Sequence, residues 1–310
     1  MEKGSRQAIK SFGIILYIVL IISVSYVIVV NCLDGLDLKK TNSSLRDEFN
    51  PLNKEYKELT SSNSDIANKV DEIKNIDQLI FDEKELTFSL ASNLEKKIKD
   101  GNNKYKIAYI TFDDGPYYLT NRLLELLRQK QVKVTFFTIG SGKNSCIDNR
   151  SFDCTTMYEK EAKDNHTMAN HTYSHAIFRG LYSSSDEFMN QIQKQEDLIL
   201  EKTGVKTNIV RFPGGSSTAG SKKNDIISKL REKGYGWVDW TAQDGDGGDL
   251  TSKEQAWNTF KNSIDQDIEV ILFHDYDEIT YSILSDVIDY LEDNNYILLP
   301  LFYDSVMVNK

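Results

Sequence analysis

Residues 106–116 read KIAYITFDDGP, a mostly apolar, β-prone run that ends in two adjacent acids and a Gly-Pro turn. This pattern predicts a buried strand that stops at Asp113 and Asp114. Two neighbouring carboxylates repel each other, so a strand end that carries both needs a cation close by. The stretch therefore predicts both a strand and a charged site at its end.

Strand-like and helix-like runs alternate over the following part of the chain. Amphipathic helical patterns separate seven strand-like runs, at 106–112, 134–139, 166–169, 208–212, 236–240, 269–273 and 296–299. Such alternation is typical of an α/β fold with a parallel sheet covered by helices. Seven strands in about 200 residues suit a small or incomplete α/β barrel, where active-site residues gather at the C-terminal ends of strands.

Ionisable side chains occur at or near the ends of several of these runs. The set comprises Asp113, Asp114, His171, His175, Arg211, Asp239 and His274. Any one of them alone would more often be structural than functional. Because they come from different strand ends of one predicted barrel, we expect them to meet in one site.

His171 and His175 form the strongest local pair. A spacing of four would place both imidazoles on one side of a helical turn, which suits a divalent ion such as zinc. One added carboxylate would complete a set of two histidines and one aspartate that leaves a coordination position open for water.

The N-terminal segment predicts a membrane anchor. Residues 12–31 carry no charge and are long enough to cross a bilayer as one helix, which we place at 12–32. Lys3, Arg6 and Lys10 precede it, so residues 1–11 are expected in the cytoplasm and the remainder outside the cell. A cleaved signal peptide is the alternative, but the apolar run is long and no small-x-small cleavage site follows.

Residues 33–103 predict a helical stalk. Positions spaced by four and three form a coiled-coil seam, namely Leu52, Tyr56, Leu59, Asn63, Ile66, Val70 and Ile73. A second amphipathic stretch carries Leu86, Leu90, Leu94 and Ile98 on one face. The seam raises the prospect of a homodimer, although a turn at 61–64 between two short helices is the alternative. The catalytic part is expected at 104–310.

Three further features limit the partners and cofactors. A net charge of −10 argues against nucleic acid as a partner. Cys146 and Cys154 lie in a polar loop, where a disulfide could close a small surface loop outside the cell. The DGDGGD stretch at 244–249 predicts an ordinary turn, since Gln255 stands where a calcium loop requires glutamate.

Five motifs of this chain resemble those of one known family. The sequences TFDDGP, NHTYSH, RFPGG, VDW and ILFHD occur in the order found in the polysaccharide deacetylases, also called carbohydrate esterase family four or the NodB-homology domain. The similarity spans residues 106–301. It implies a distorted seven-stranded parallel (β/α) barrel and metal-dependent removal of acetyl groups from N-acetylated, sometimes O-acetylated, sugar polymers.

The resemblance also implies a role for each matching residue. Asp114, His171 and His175 would hold a divalent metal, with zinc the leading candidate. Asp113 would be the general base, and Arg211 would keep it ionised and oriented.

On the leaving-group side, His274 would be the general acid and Asp239 would keep it charged. Trp240 and Leu272 would form the slot for the acetyl methyl group, and the backbone N–H of Gly214 would stabilise the oxyanion. The family often has tyrosine where this chain has Gly214, so a ring that would line the site is absent here.

The leading hypothesis is a membrane-anchored N-deacetylase, an amide hydrolase, acting outside a bacterium on the N-acetylglucosamine or N-acetylmuramic acid of peptidoglycan. Other acetylated polymers are the alternative: a chitin-type oligosaccharide, an exopolysaccharide or acetyl xylan. A third hypothesis is an inactive glycan-binding scaffold. The presence of both Asp113 and His274 argues against it.

Overall fold

In the computed structural model, which describes residues 91–101, 106–140 and 155–310, strand β1 (Lys106–Asp113) lies in the middle of a parallel sheet. The remaining strands are β2 (Thr135–Thr138), β3 (Thr167–Asn170), β4 (Ile209–Val210), β5 (Gly236–Trp237), β6 (Ala242–Gln243), β7 (Ile268–His274) and β8 (Tyr296–Leu298). Their order is β5-β4-β3-β2-β1-β7-β6, and β8 pairs with the first residues of β1. Because β5 and β6 lie at the two ends of this order, the (β/α) barrel is incomplete.

Helices connect the strands and cover the outside of the sheet. They are α1 (91–99), α2 (Thr120–Lys130), α3 (Thr155–Lys163), α4 (Ser185–Thr203), α5 (Lys223–Glu232), α6 (Lys253–Ser263) and α7 (Glu278–Asp293), with 3-10 turns at Ile177–Arg179 and Ser216–Lys222. The start of α4 is capped by Ser184, whose side chain accepts a hydrogen bond from the backbone of Glu187, and α7 is capped in the same way by Asp277.

The alternation of side chains in β1 separates two apolar layers. Ala108, Ile110 and Phe112 face outward and pack with residues of α2, α6 and α7. Ile107 and Tyr109 face the barrel interior. Successive side chains of a strand point to opposite faces, so Asp113 belongs to the interior set. The sheet therefore directs its last acidic side chain into the barrel.

Helix α1 packs against the barrel although its residues belong to the predicted stalk. Ala91 and Ile98 are buried, and Glu95 has no exposed surface. The Glu95 carboxylate accepts hydrogen bonds from the Tyr109 hydroxyl and from the backbone N–H of Val306. This end of the stalk segment thus contributes to the core of the unit that contains the barrel.

The structure adds β6 to the seven strands that the sequence predicted, because its two residues, Ala242 and Gln243, belong to no apolar run. The predicted segments 1–11 and 12–32, nearly all of 33–103 and the pair Cys146 and Cys154 lie outside the described residues. Within the described ranges, no helix has the length and apolar content to cross a bilayer.

Candidate metal centre and active site

The ends of β1, β3, β4 and β7 bring the predicted residues together. Asp113 is the last residue of β1 and lies beside His274, the last residue of β7, in the strand register. His171 directly follows β3, and Arg211 directly follows β4. The parallel arrangement places all four residues at the C-terminal edge of the sheet, where active sites of such barrels form.

Asp114, His171 and His175 form a compact group of ligand atoms, all within 4.8 Å of one another. The Oδ1 atom of Asp114 lies 3.5 Å from Nε2 of His171 and 3.3 Å from Nε2 of His175. Two atoms that each bind one tetrahedral zinc ion at about 2.0–2.1 Å would be about 3.3 Å apart. The spacing therefore fits a shared divalent ion.

The hydrogen bonds of the group also fit a metal ion. Nδ1 of His171 lies 2.9 Å from the carbonyl oxygen of Arg211, which can only accept, so this nitrogen carries the proton and Nε2 presents a lone pair towards Asp114. Burial lowers the pKa of His171 to about 3, so the ring is neutral, as a metal ligand must be. Oδ1 of Asp114 is buried and has no hydrogen-bond partner in the part of the chain that the structure describes. A lone pair facing a carboxylate oxygen leaves a place for a cation.

The segment from His171 to His175 is a loop, so the predicted helical turn is wrong. Thr172 and His175 have positive φ angles of 68° and 47°, and Asp114 has one of 68°. The carboxamide oxygen of Asn170 accepts the backbone N–H of Thr172 and stabilises this conformation. Residues other than glycine seldom adopt positive φ, and for a β-branched residue such as Thr172 it is an outlier. Backbone strain of this kind is concentrated at functional sites. The two imidazoles converge through loop geometry.

Arg211 holds Asp113 in the barrel interior. Arg211 is fully buried, and its Nη1 donates to Oδ1 of Asp113 at 2.8 Å and to the Thr111 hydroxyl at 2.6 Å. Its guanidinium also lies over the ring of Phe137, 4.1 Å from the centroid. Burial raises the pKa of Asp113 above its ordinary value, and the charge of Arg211 opposes that rise. In this environment the Asp113 carboxylate is suited to accepting a proton.

His274 is held by Asp246, and the prediction that Asp239 holds it is wrong. Oδ1 of Asp246 lies 2.8 Å from Nδ1 of His274, and Oδ2 accepts the backbone N–H of His274 at 2.6 Å. The Asp239 carboxylate instead accepts the backbone N–H and the hydroxyl of Ser216. Asp239 follows β5 at one end of the sheet order, whereas Asp246 follows β6, which pairs directly with β7.

The environment of His274 favours its protonated form. Burial alone would lower the pKa of His274, but the hydrogen bond and charge of Asp246, with Asp114 and Asp113, raise it to about 9. Nε2 of His274 lies 3.9 Å from Oδ2 of Asp114. A protonated imidazole thus lies next to the residues that could hold a metal ion.

The remaining predicted site residues surround this centre less closely. Leu272 is buried in β7, two positions before His274 on the same face, and Trp240 packs at the margin of the interior apolar cluster. Gly214 is exposed with a φ of 72°. A Cβ atom there would lie 3.0 Å from the Thr218 hydroxyl and 3.3 Å from Ile177, so this loop suits glycine better than the family's tyrosine.

The arrangement combines three chemical capacities in one place. Two imidazoles and a carboxylate can bind a divalent ion, a second carboxylate can accept a proton, and a charged imidazole can donate one. This combination suits hydrolysis of a poorly reactive acyl bond. Asp246 is the residue that sequence reasoning missed. Its signal was the DGDGGD stretch, which was assigned to an ordinary turn.

The comparisons with known proteins agree with this chemistry. The family model described as polysaccharide deacetylase matches residues 100–236. The Bacillus subtilis protein YheN is 29% identical over 67% of this chain and 70% of its own length. A peptidoglycan-N-acetylglucosamine deacetylase of Bacillus cereus is 31% identical over 55% of this chain, and the match spans only 60% of that enzyme.

The fold is similar to that of a solved relative. The catalytic domain of peptidoglycan N-acetylglucosamine deacetylase from Eubacterium rectale ATCC 33656 superposes with a TM-score of 0.59 at 30% sequence identity. The superposition covers 66% of this chain and 92% of that domain. With the five motifs and the geometry of the site, these matches lead to one conclusion: this chain belongs to the polysaccharide deacetylase family, carbohydrate esterase family four.

Proposed function

We propose that this protein is a metal-dependent hydrolase that removes N-acetyl groups from the N-acetylglucosamine or N-acetylmuramic acid of peptidoglycan. The observation that carries the proposal is the convergence of Asp114, His171 and His175, with Asp113 and His274 beside them. The names of the Bacillus cereus and Eubacterium rectale relatives support the choice of substrate.

Asp114, His171 and His175 would hold the metal ion, and zinc is our first choice because two imidazoles and one carboxylate are typical ligands of catalytic zinc. When bound, a divalent ion supplies Lewis-acid polarisation of the acetamide carbonyl and lowers the pKa of water towards ~7. The neutral ring of His171 and the buried, unpartnered Oδ1 of Asp114 support this assignment.

Asp113 and His274 would move the protons. Asp113 accepts a proton from the attacking water, and its burial makes it a stronger base than an exposed carboxylate. Arg211 keeps it ionised and fixes its orientation. The C–N bond breaks once the amide nitrogen gains a proton, which protonated His274 donates from its Nε2 atom. Asp246 holds the opposite ring nitrogen and so directs Nε2 at the substrate.

Three residues would bind the acetyl group itself. Trp240 and Leu272 would line an apolar slot for the methyl group, and the backbone N–H of Gly214 would donate to the developing oxyanion. The interior position of Leu272 and the positive φ of Gly214 are compatible with these roles.

We also propose that the enzyme is anchored in the cell membrane with its catalytic domain outside. The uncharged run at 12–31 and the preceding Lys3, Arg6 and Lys10 support this location. A homodimer formed through residues 52–73 is part of the same proposal. Both features lie in the segment outside the described residues.

Mass spectrometry of purified peptidoglycan fragments tests the function. The fragments are incubated with the zinc-loaded protein and, as a matched control, with Asp113→Asn protein. We expect the loss of one acetyl group per modified sugar, and tandem fragmentation identifies which sugar lost it. Unchanged fragments, with acetate released instead from chitin-type oligosaccharides or acetyl xylan, would exclude peptidoglycan as the substrate. No acetate from any of these polymers would contradict the deacetylase proposal itself.

A further inference from the structure

Three tyrosines next to His274 form a continuous aromatic surface that the proposed reaction does not use. The ring of Tyr276 lies 5.0 Å from that of His274, Tyr117 lies 5.8 Å from Tyr276, and Tyr118 lies 4.7 Å from Tyr117. We name these three residues the tyrosine wall. It begins with the ring that contacts the proposed proton donor and continues through successive ring contacts.

The tyrosine wall is not part of the apolar core. All three rings are partly exposed, and none of them belongs to the four buried apolar clusters found among the described residues. Leu119, which directly follows Tyr118, is by contrast buried in the fold. Neighbouring aromatic side chains that remain at the surface beside an active site commonly mark a contact with a ligand.

Hydrogen bonds connect the two backbone segments that carry the tyrosine wall. The Thr120 side chain accepts the backbone N–H of Tyr117 at 2.7 Å and donates to the Asp275 carboxylate. Asp275 directly precedes Tyr276, so one threonine connects the loop after β1 with the loop after β7. A Cβ atom on Gly115 would lie 2.4 Å from the Asp275 carboxylate, so the loops approach each other closely. Rings held in place before binding lose little conformational entropy when a ligand arrives.

The chemistry of the wall suits a sugar ring. One face of a pyranose presents polarised C–H bonds, and the electron-rich face of an aromatic ring attracts such groups. Tyr276 contacts His274, the proposed proton donor, whereas Tyr117 and Tyr118 follow Tyr276 as the next two members of the series of ring contacts. Tyr117 and Tyr118 are therefore placed for a sugar that neighbours the reacting one.

We propose that Tyr117, Tyr118 and Tyr276 form a stacking site for a second sugar residue of an N-acetylated glycan chain. The inference rests on the proposed function for the position of the reacting sugar. Such a stacking site makes the enzyme prefer oligomers to single sugars, because part of the binding free energy comes from a sugar ring that does not react.

Binding and acetate release, measured separately, test this site. Calorimetry with the β-1,4-linked N-acetylglucosamine tetramer and monomer uses the metal-loaded full chain and the variants Tyr117→Leu and Tyr117→Phe. We expect Tyr117→Leu to weaken tetramer binding about tenfold and Tyr117→Phe to change it little, because the site requires the ring face and not the hydroxyl. Monomer binding should be equal in all three proteins. Tyr303 is a partly exposed tyrosine after β8. The variant Tyr303→Leu is the control for the effect of removing any partly exposed tyrosine ring.

The two readouts separate the failure of this site from the failure of the proposed function. If wild-type protein releases acetate but Tyr117→Leu binds the tetramer as wild type does, the stacking site is wrong and the function stands. If no acetate is released but Tyr117→Leu still weakens tetramer binding, the stacking site stands and the function is wrong. Equal losses with tetramer and monomer, in a variant that unfolds at the wild-type temperature, would also overturn the site.

Discussion

Asp246 binds His274 at two points, through the backbone N–H at 2.6 Å and through Nδ1 at 2.8 Å. The same carboxylate accepts the hydroxyl of Thr280 at 3.3 Å, and Thr280 also bonds Asp244. The imidazole is thereby fixed in position and in charge. The proposed proton donor depends on the short strand β6 and the glycine-rich loop after it rather than on the segment after β5 that contains Asp239.

Replacing Asp246 therefore tests the role of His274. We expect Asp246→Asn to lower kcat by about 10²-fold, since it removes the charge that keeps His274 protonated and correctly oriented. Asp239→Asn is the matched control and should change kcat much less, because Asp239 bonds Ser216. Steady-state rates of acetate release measure both. A larger loss in Asp239→Asn than in Asp246→Asn would contradict the assignment.

Arg211 should be essential for stability as well as for activity. We expect Arg211→Met to reduce the free energy of unfolding by about 3–5 kcal/mol, because it leaves the buried carboxylate of Asp113 without its ion-pair partner. Arg122→Met, which breaks the exposed pair with Glu278, should change stability little. Denaturant unfolding of both variants provides the comparison, and equal losses would show that the buried pair has no special role.

Glu161 lies in the core without compensation. It has no exposed surface and, among the residues that the structure describes, neither of its carboxylate oxygens has a hydrogen-bond partner, while burial raises its pKa well above the ordinary value. We expect Glu161→Leu to increase the free energy of unfolding by about 1–3 kcal/mol at neutral pH, because it removes a buried polar group that lacks partners. A destabilised Glu161→Leu protein with wild-type activity would instead indicate a stabilising partner for this acid.

The pH dependence of stability should report on Glu95. Burial raises its pKa to about 7, despite hydrogen bonds from Tyr109 and Val306 that favour ionisation. A raised pKa means that the folded state prefers the protonated acid, so this contribution to stability is present below pH ~4.5 and is lost as the pH rises through ~7. Glu95→Gln removes this titration. We expect the wild-type protein to lose more stability than Glu95→Gln between pH 5 and pH 8 in thermal unfolding, and parallel curves would contradict the assignment.

The sequence predicted those parts of the molecule that local pattern determines. Apolar runs followed by Asp113, Asp114 or His274 marked strand ends, and parallel topology made their convergence a direct consequence. The resemblance of the VDW motif points to Asp239 for the role of keeping His274 charged, whereas β6, which brings Asp246 beside β7, belongs to no apolar run in the sequence, so the loop after it could not be placed there. The positive φ angles of Thr172 and His175 belong to a loop in which the Asn170 side chain donates to the Ile192 carbonyl and accepts the Thr172 backbone N–H. Residue spacing alone suggests a helix instead.

Docking of α1 could not be predicted for a related reason. Leu94 and Ile98 gave an amphipathic pattern that fits a stalk or a docked helix equally well, and only the burial of Glu95 against Tyr109 distinguishes the two. The tyrosine wall, in turn, required knowledge that the loops after β1 and β7 are neighbours.

A metal analysis of the purified protein shows whether Asp114, His171 and His175 share one divalent ion. Inductively coupled plasma mass spectrometry should find about one zinc equivalent per wild-type chain, the same in Asp113→Asn, and almost none in Asp114→Ala. Acetate release should disappear on treatment with a chelator and return with added zinc. An Asp114→Ala protein that retains its metal, or a metal-free wild-type protein that remains fully active, would rule out a catalytic ion at this site.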